Sequence, residues 1–94
     1  MRITGHEKLD ALVRVHADTR PWIENWIAST EQAQWRIPGD IKRSHAAASF
    51  LAGNVVIFNV KGNHTRLEVL VSYNTGVVVV RWAGTHAQYD RRTN

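Results

Sequence analysis

Three runs rich in β-branched residues, Val55 to Val60, Thr65 to Tyr73 and Val77 to Ala83, constrain this chain more than anything else in it. Lys61-Gly62-Asn63-His64 joins the first run to the second, and Asn74-Thr75-Gly76 joins the second to the third. Val, Ile, Phe and Thr suit a pleated, half-buried surface, and Gly/Asn segments suit tight reversals. The stretch therefore reads as two successive hairpins, a three-stranded antiparallel meander.

Parity fixes which side chains share a face. With four loop residues between Val60 and Thr65, Phe58 stands opposite Leu67 and Val56 opposite Val69, while Asn59 faces Arg66 and Ile57 faces Glu68. One face is apolar and the other mixed, as for a sheet covered on one side. In the second hairpin an even loop sets Val80 opposite Val71 and Trp82 opposite Val69, and puts Arg81 on the face of Arg66. An odd loop would drive Arg81 into the apolar face, where an unpaired guanidinium costs several kcal/mol. The even loop is expected, and with it two arginines on one exposed face.

The N-terminal third reads as helix. Thr4-Gly5-His6-Glu7 has capping-box spacing, and Leu9, Leu12, Val13 and His16 recur at helical intervals, predicting a helix over 6–16. Pro21 suits a first turn, and Trp22, Ile23, Trp26, Ile27 and Ala33 continue a stripe to Trp35, predicting a second helix over 20–35. Tryptophans at this spacing belong to the core rather than to a base-stacking surface. Ile37-Pro38-Gly39-Asp40 ends that helix, Asp40 caps one short turn, and Ser44 to Leu51 is a linker.

At 94 residues and 44% apolar, with two prolines, the chain is expected to form one globular domain over 1–94. No run reaches the length of a membrane span and no signal-peptide core is present, so a cytoplasmic protein is expected. The absence of cysteine excludes disulfides, thiolate metal sites and a cysteine nucleophile. The net charge of +4 is uneven: residues 1–40 carry −1, residues 41–94 carry +5. A basic sheet half beside a near-neutral helical half suits a polyanion-binding surface, although solubility alone is another reason for basic charge.

Chemistry is constrained by what is missing. The histidines, His6, His16, His45, His64 and His86, form no pair at helical ligand spacing, and Glu68 and Asp90 are the only carboxylates of the basic half. No metal or other cofactor is expected. What remains is Lys61, Arg66, Arg81, His86 and Tyr89, with His64 and Asp90 near. Cleaving RNA without a metal needs a base for the 2′-OH proton, an acid for the leaving 5′-oxygen and cations for phosphorane charge. His, Lys and Tyr serve the first two and Arg the third. A binding surface would have the same composition. Lys42, Arg43 and His45 form either a phosphate contact or a solvated loop.

Ala48-Ser49-Phe50-Leu51, Val56-Ile57-Phe58-Asn59-Val60-Lys61-Gly62-Asn63, Arg66-Leu67 and Gly84-Thr85-His86-Ala87-Gln88-Tyr89-Asp90 together resemble HigB-type toxins of the RelE superfamily. The closing element is the most specific, with Gln88 standing where the family pattern has an acid. The resemblance implies an α+β fold, two N-terminal helices on a twisted antiparallel β-sheet. It also implies cleavage of mRNA on the ribosome and neutralisation by a HigA-like helix-turn-helix antitoxin. Carried over by position, it makes His86 and Tyr89 proton-transfer groups, Arg66 and Arg81 phosphate-charge stabilisers, and Lys61 a further catalytic cation. Lys42, Arg43 and His64 are candidate RNA contacts, His64 departing from the family's usual residue there. Asp90 either orients His86 or, preferably, pairs with Arg91 or Arg92. The alternative is a non-catalytic module that binds RNA or an acidic partner through the same basic face.

Overall fold

The computed structural model describes residues 1–61 and 64–93. Gly62 and Asn63, the middle of the first expected loop, lie outside them. The meander is present as β3 (Val55–Val60), β4 (Thr65–Ser72) and β5 (Val77–Thr85). In the first hairpin Phe58 pairs with Leu67, Val56 with Val69, Asn59 with Arg66 and Ile57 with Glu68, the register that parity required. Val56, Phe58, Val60, Leu67, Val69, Val71, Val78 and Val80 are all buried in the core.

The second hairpin departs from expectation. Its loop is even, but Ser72 pairs with Val77, so Val71 faces Val78 and Val69 faces Val80. A bulge then follows: Val69 pairs with Val80 but Glu68 with Trp82, which leaves Arg81 as the extra residue on β5. Trp82 is thereby turned away from the apolar face, where alternation had placed it, onto the face of Glu68. Four consecutive valines, Val77 to Val80, carry no alternation and cannot report register. The bulge lets β5 keep Val78 and Val80 inside while holding both Arg81 and Trp82 out.

Among the described residues the sheet has five strands in the order β1-β5-β4-β3-β2, with β1 at Arg2–Thr4 and β2 at Ser49–Leu51. Because β1 runs parallel to β5, Ile3 beside Val78, the sheet is mixed rather than purely antiparallel. β2 lies in the stretch expected to be a linker; three exposed edge residues show no periodicity to read.

Among the described residues four α-helices accompany the sheet, two more than expected: α1 (His6–Val15), α2 (Arg20–Gln32), α3 (Pro38–Ser44) and α4 (His86–Thr93). The Thr4–Glu7 capping box does not form. Thr4 is held in β1, and α1 is capped by Gly5 without a side-chain hydrogen bond. Gly5 has φ 89°, and a Cβ there would stand 2.6 Å from the Val80 carbonyl oxygen. Strand β1 must turn into α1 directly over β5, and only glycine permits both the dihedral and the approach. α2 stops three residues short of Trp35, its last carbonyls taken by the Met1 ammonium, which donates to Thr30, Glu31 and Ala33. Pro38 opens α3 instead of closing α2, and the Asp40 carboxylate accepts from the Arg36 and Ile37 N–H groups.

Leu9, Leu12 and Val13 of α1, Ile23 and Trp26 of α2, Trp35 and Ile41 share one core with the sheet valines. Trp26 meets Phe58 edge-on at 5.6 Å and Trp35 stacks on it at 6.5 Å, so the expected core role of Trp26 holds. His45 packs edge-on against the same phenyl ring at 5.0 Å, and burial pushes its imidazole pKa down. No helix among the described residues is long and apolar enough to cross a membrane.

Gly5→Ala combines left-handed strain with a backbone clash, and should lower unfolding free energy by about 2 kcal/mol or more. Gly53→Ala, at φ 76° with open space around the added methyl, should cost only about 1 kcal/mol. Urea titrations of the two variants compare them; equal midpoints would remove the close approach from the explanation.

Candidate functional site

The C-terminal helix is set by its own sequence. The Thr85 N–H donates to Gln88 Oε1 at 2.9 Å, and the Gln88 N–H donates to Thr85 Oγ1 at 3.1 Å. This reciprocal pair is a capping box, so the Gln88 that departs from the acidic pattern starts a helix at His86. The motif's glutamine is accounted for by folding.

Polar side chains gather around α4 in two groups. The first lines a cleft of about 770 Å³ between the α1–α2 corner, the β3–β4 hairpin and the start of α4. His16 and Asp18 come from the corner, Lys61 and His64 from the hairpin, His86 and Asp90 from α4. The His86 N–H donates to the His64 carbonyl at 2.8 Å, tying the hairpin end to the helix start. Lys61 Nζ lies 3.3 Å from Asp18, and that hydrogen bond holds the Asp18 carboxyl below its usual range. His86 Nε2 lies 3.4 Å from Asp90 Oδ2. Asp90 thus lies beside His86, and Arg92, one of the two arginines expected to pair with it, is engaged with Glu68.

The second group covers the outer face of β4 and β5. Arg92 donates through both terminal nitrogens to the two oxygens of Glu68, each at 2.9 Å, and Arg81 Nε lies 3.7 Å from the same carboxylate. The Glu68 side chain is 6% exposed. Its hydrogen bonds to Arg92 hold its pKa down against the upward push of burial, and raise that of Arg92 in turn. The Arg66 guanidinium lies 4.9 Å from the Tyr89 ring centroid, and its buried Nε has no hydrogen-bond partner among the described residues. Tyr89 meets Trp82 edge-on at 5.6 Å, and Arg92 stands over both rings at 5.6 and 5.1 Å.

The candidate residues therefore divide. Lys61, His64 and His86 meet in the cleft; Arg66, Arg81 and Tyr89 lie on the outer sheet face; α4 joins the groups, since His86 and Tyr89 are three residues apart. Arg66 and Arg81 share a face as parity required, but Arg66 is half-buried under Tyr89 instead of exposed. Lys42 and Arg43 stand apart on α3. Lys42 donates to the Ala48 carbonyl and lies over Phe50, and Arg43 pairs with Asp40. The sequence reading did not place Trp82, Arg92 or Asp18 here. The bulge and the return of α4 bring in the first two, and neither has a local signal. Among the described residues no group of three or more His, Asp or Glu side chains is gathered that could hold a metal ion.

A small mixed sheet with helices on one face and a basic, aromatic surface under its last helix is the architecture of a RelE-like toxic component of a toxin–antitoxin system, and a family model of that description matches residues 19–92. The chain belongs to that family, the HigB toxins. It is the toxin component of a toxin–antitoxin system, and the family implies an antitoxin partner. None of the curated proteins compared with the chain matches it.

Arg92→Met should lower stability by about 1–3 kcal/mol at neutral pH, since it strands a nearly buried carboxylate while removing a partly solvated cation. The pH dependence follows from the depressed Glu68 pKa. The contribution is complete above the ordinary glutamate value of 4.5 and is lost as pH falls through the lower folded value. The variant should lose less stability than the parent on acidification. Urea titrations across the acid range measure this, and parallel pH curves would show that Arg92 does not set the Glu68 pKa.

Proposed function

We propose that the protein is a cytoplasmic, metal-independent mRNA endoribonuclease that acts on translating ribosomes and is neutralised by a HigA-like helix-turn-helix antitoxin. The observation that carries this reading is the meeting, along one turn of α4, of the His86 cleft with the Arg66–Tyr89 stack, in a chain of the HigB family. Such an arrangement has the parts that transesterification of RNA requires. One group removes the 2′-OH proton, the 2′-oxygen attacks phosphorus, and a second group protonates the departing 5′-oxygen. A 2′,3′-cyclic phosphate and a 5′-hydroxyl result.

His86 and Tyr89 are the proton-transfer pair, with Asp90, at 3.4 Å, orienting the imidazole. Arg66 and Arg81 stabilise charge on the phosphorane. Lys61 adds positive charge at the cleft, and His64 an RNA contact beside His86. Lys42 and Arg43 would touch RNA only as a remote part of a long footprint, away from the scissile bond.

A non-catalytic module that binds RNA or an acidic partner through this basic face would share the charge but not the dependence on His86 and Tyr89. Primer extension on a model mRNA in a purified translation system separates the two. New 5′ ends are expected with the parent protein, and His86→Ala or Tyr89→Ala should reduce their rate of appearance by about 10²–10⁴-fold. Binding without cleavage, unaffected by those two substitutions but lost in Arg66→Ala, would favour the binding module.

A further inference from the structure

The outer-face cluster contains more than phosphate chemistry needs. Two guanidinium groups, from Arg81 and Arg92, reach one carboxylate, Glu68, and a third, from Arg66, lies against the Tyr89 ring, so the patch keeps a surplus of positive charge. Two large rings stand among them, Trp82 and Tyr89, neither fully buried. Trp82 is there because the bulge at Arg81 turned it out of the core, and it lies across Gly84, where an added Cβ would come within 2.9 Å of the indole. A strand that exposes tryptophan at the cost of a bulge, with glycine beneath it, gives up core packing to present an aromatic ring outward.

Arg92 is held unusually well for a side chain that is 35% exposed. Glu68 grips its guanidinium through a two-point fork at 2.9 Å, and the Trp82 ring centroid lies 5.1 Å away. The fork fixes the plane of the guanidinium, so one flat cation is held over two rings with little rotamer freedom left to lose. A flat cation layered on rings suits an unpaired nucleobase, which extends the stack, and the flanking arginines suit its phosphates. An acidic peptide would satisfy the charge but would leave the rings without a partner.

From this we infer that Trp82 and Arg92 form a base-stacking subsite for single-stranded RNA, with Glu68 as a positioning residue that sets the Arg92 plane. The inference rests on the nuclease reading for its substrate class, but it concerns binding and is tested without cleavage.

The probe is a fluorescein-labelled 2′-O-methyl uridine decamer, which lacks the attacking hydroxyl, with an abasic decamer of equal charge as control, titrated against the full chain by anisotropy. Trp82→Leu should weaken uridine-decamer binding on the order of tenfold, the size of one base–aromatic stack, and leave abasic-decamer binding unchanged. Trp82→Phe should restore most of the affinity, which a folding defect would not permit. Arg92→Lys, which keeps the charge and loses the plane, should behave as Trp82→Leu does while leaving the salt dependence of binding unaltered. Equal affinity of parent and Trp82→Leu for the uridine decamer overturns the subsite, as does a parent protein that binds neither probe. A parent that shows the expected binding differences but yields no new 5′ ends on mRNA leaves the subsite standing and removes the nuclease reading instead.

Discussion

A carboxylate that lies 6% exposed on a sheet face cannot remain charged without partners, and Glu68 obtains them from both directions. Arg81 reaches it from the bulge of β5, and Arg92 from the last turn of α4. The second contact docks the helix. Without the fork α4 would have to hold to the sheet through the His86 N–H bond to the His64 carbonyl at its start and through Tyr89 and its ring contacts, little for eight residues, most of them exposed. The placement of His86 over the cleft and of Tyr89 over Arg66 follows from that docking.

The two faces of the sheet do different physical work. The inner face carries the valines, Leu67 and Phe58, and meets α1, α2 and Trp35; its order comes from apolar burial, which is non-directional and tolerant. The outer face is organised by a few directional, charge-assisted contacts whose geometry decides everything. Five of the seven cations in residues 41–94 lie in or beside α4, the bulge and the β3–β4 hairpin: Lys61, Arg66, Arg81, Arg91 and Arg92. A surface of that charge would repel α4's own basic last turn, were Glu68 not set into it.

What could be read from the sequence follows the same division. Alternation in β3 and β4 gave the register residue by residue, because one face of each is apolar and a slip of one would turn Arg66 or Glu68 into that apolar face. Alternation failed in β5, where Val77 to Val80 look alike from both sides, and so the bulge and the outward turn of Trp82 were invisible. The parallel β1 and the edge β2 were too short to show a period. The candidate residues were legible as chemical types, but their division between cleft and outer face was not. It depends on where α4 begins and how it returns, and both are set by contacts between residues far apart in the chain, such as Arg92 with Glu68.

The start of α4 also recasts the most specific sequence element. In Gly84-Thr85-His86-Ala87-Gln88-Tyr89-Asp90, Thr85 and Gln88 spend their polar groups on each other's backbone, and Gly84 makes room for Trp82 and Gln88 above the strand. An acid in place of Gln88 could fill the same capping role, since either side chain accepts from the N-cap N–H. With the helix starting at His86, residues three apart point about 60° from each other around its axis. That angle is what lets one short helix hold an imidazole toward the cleft and a phenol ring toward the arginines. Part of the motif sets the helix, and the part left free, His86 and Tyr89, is aimed by it.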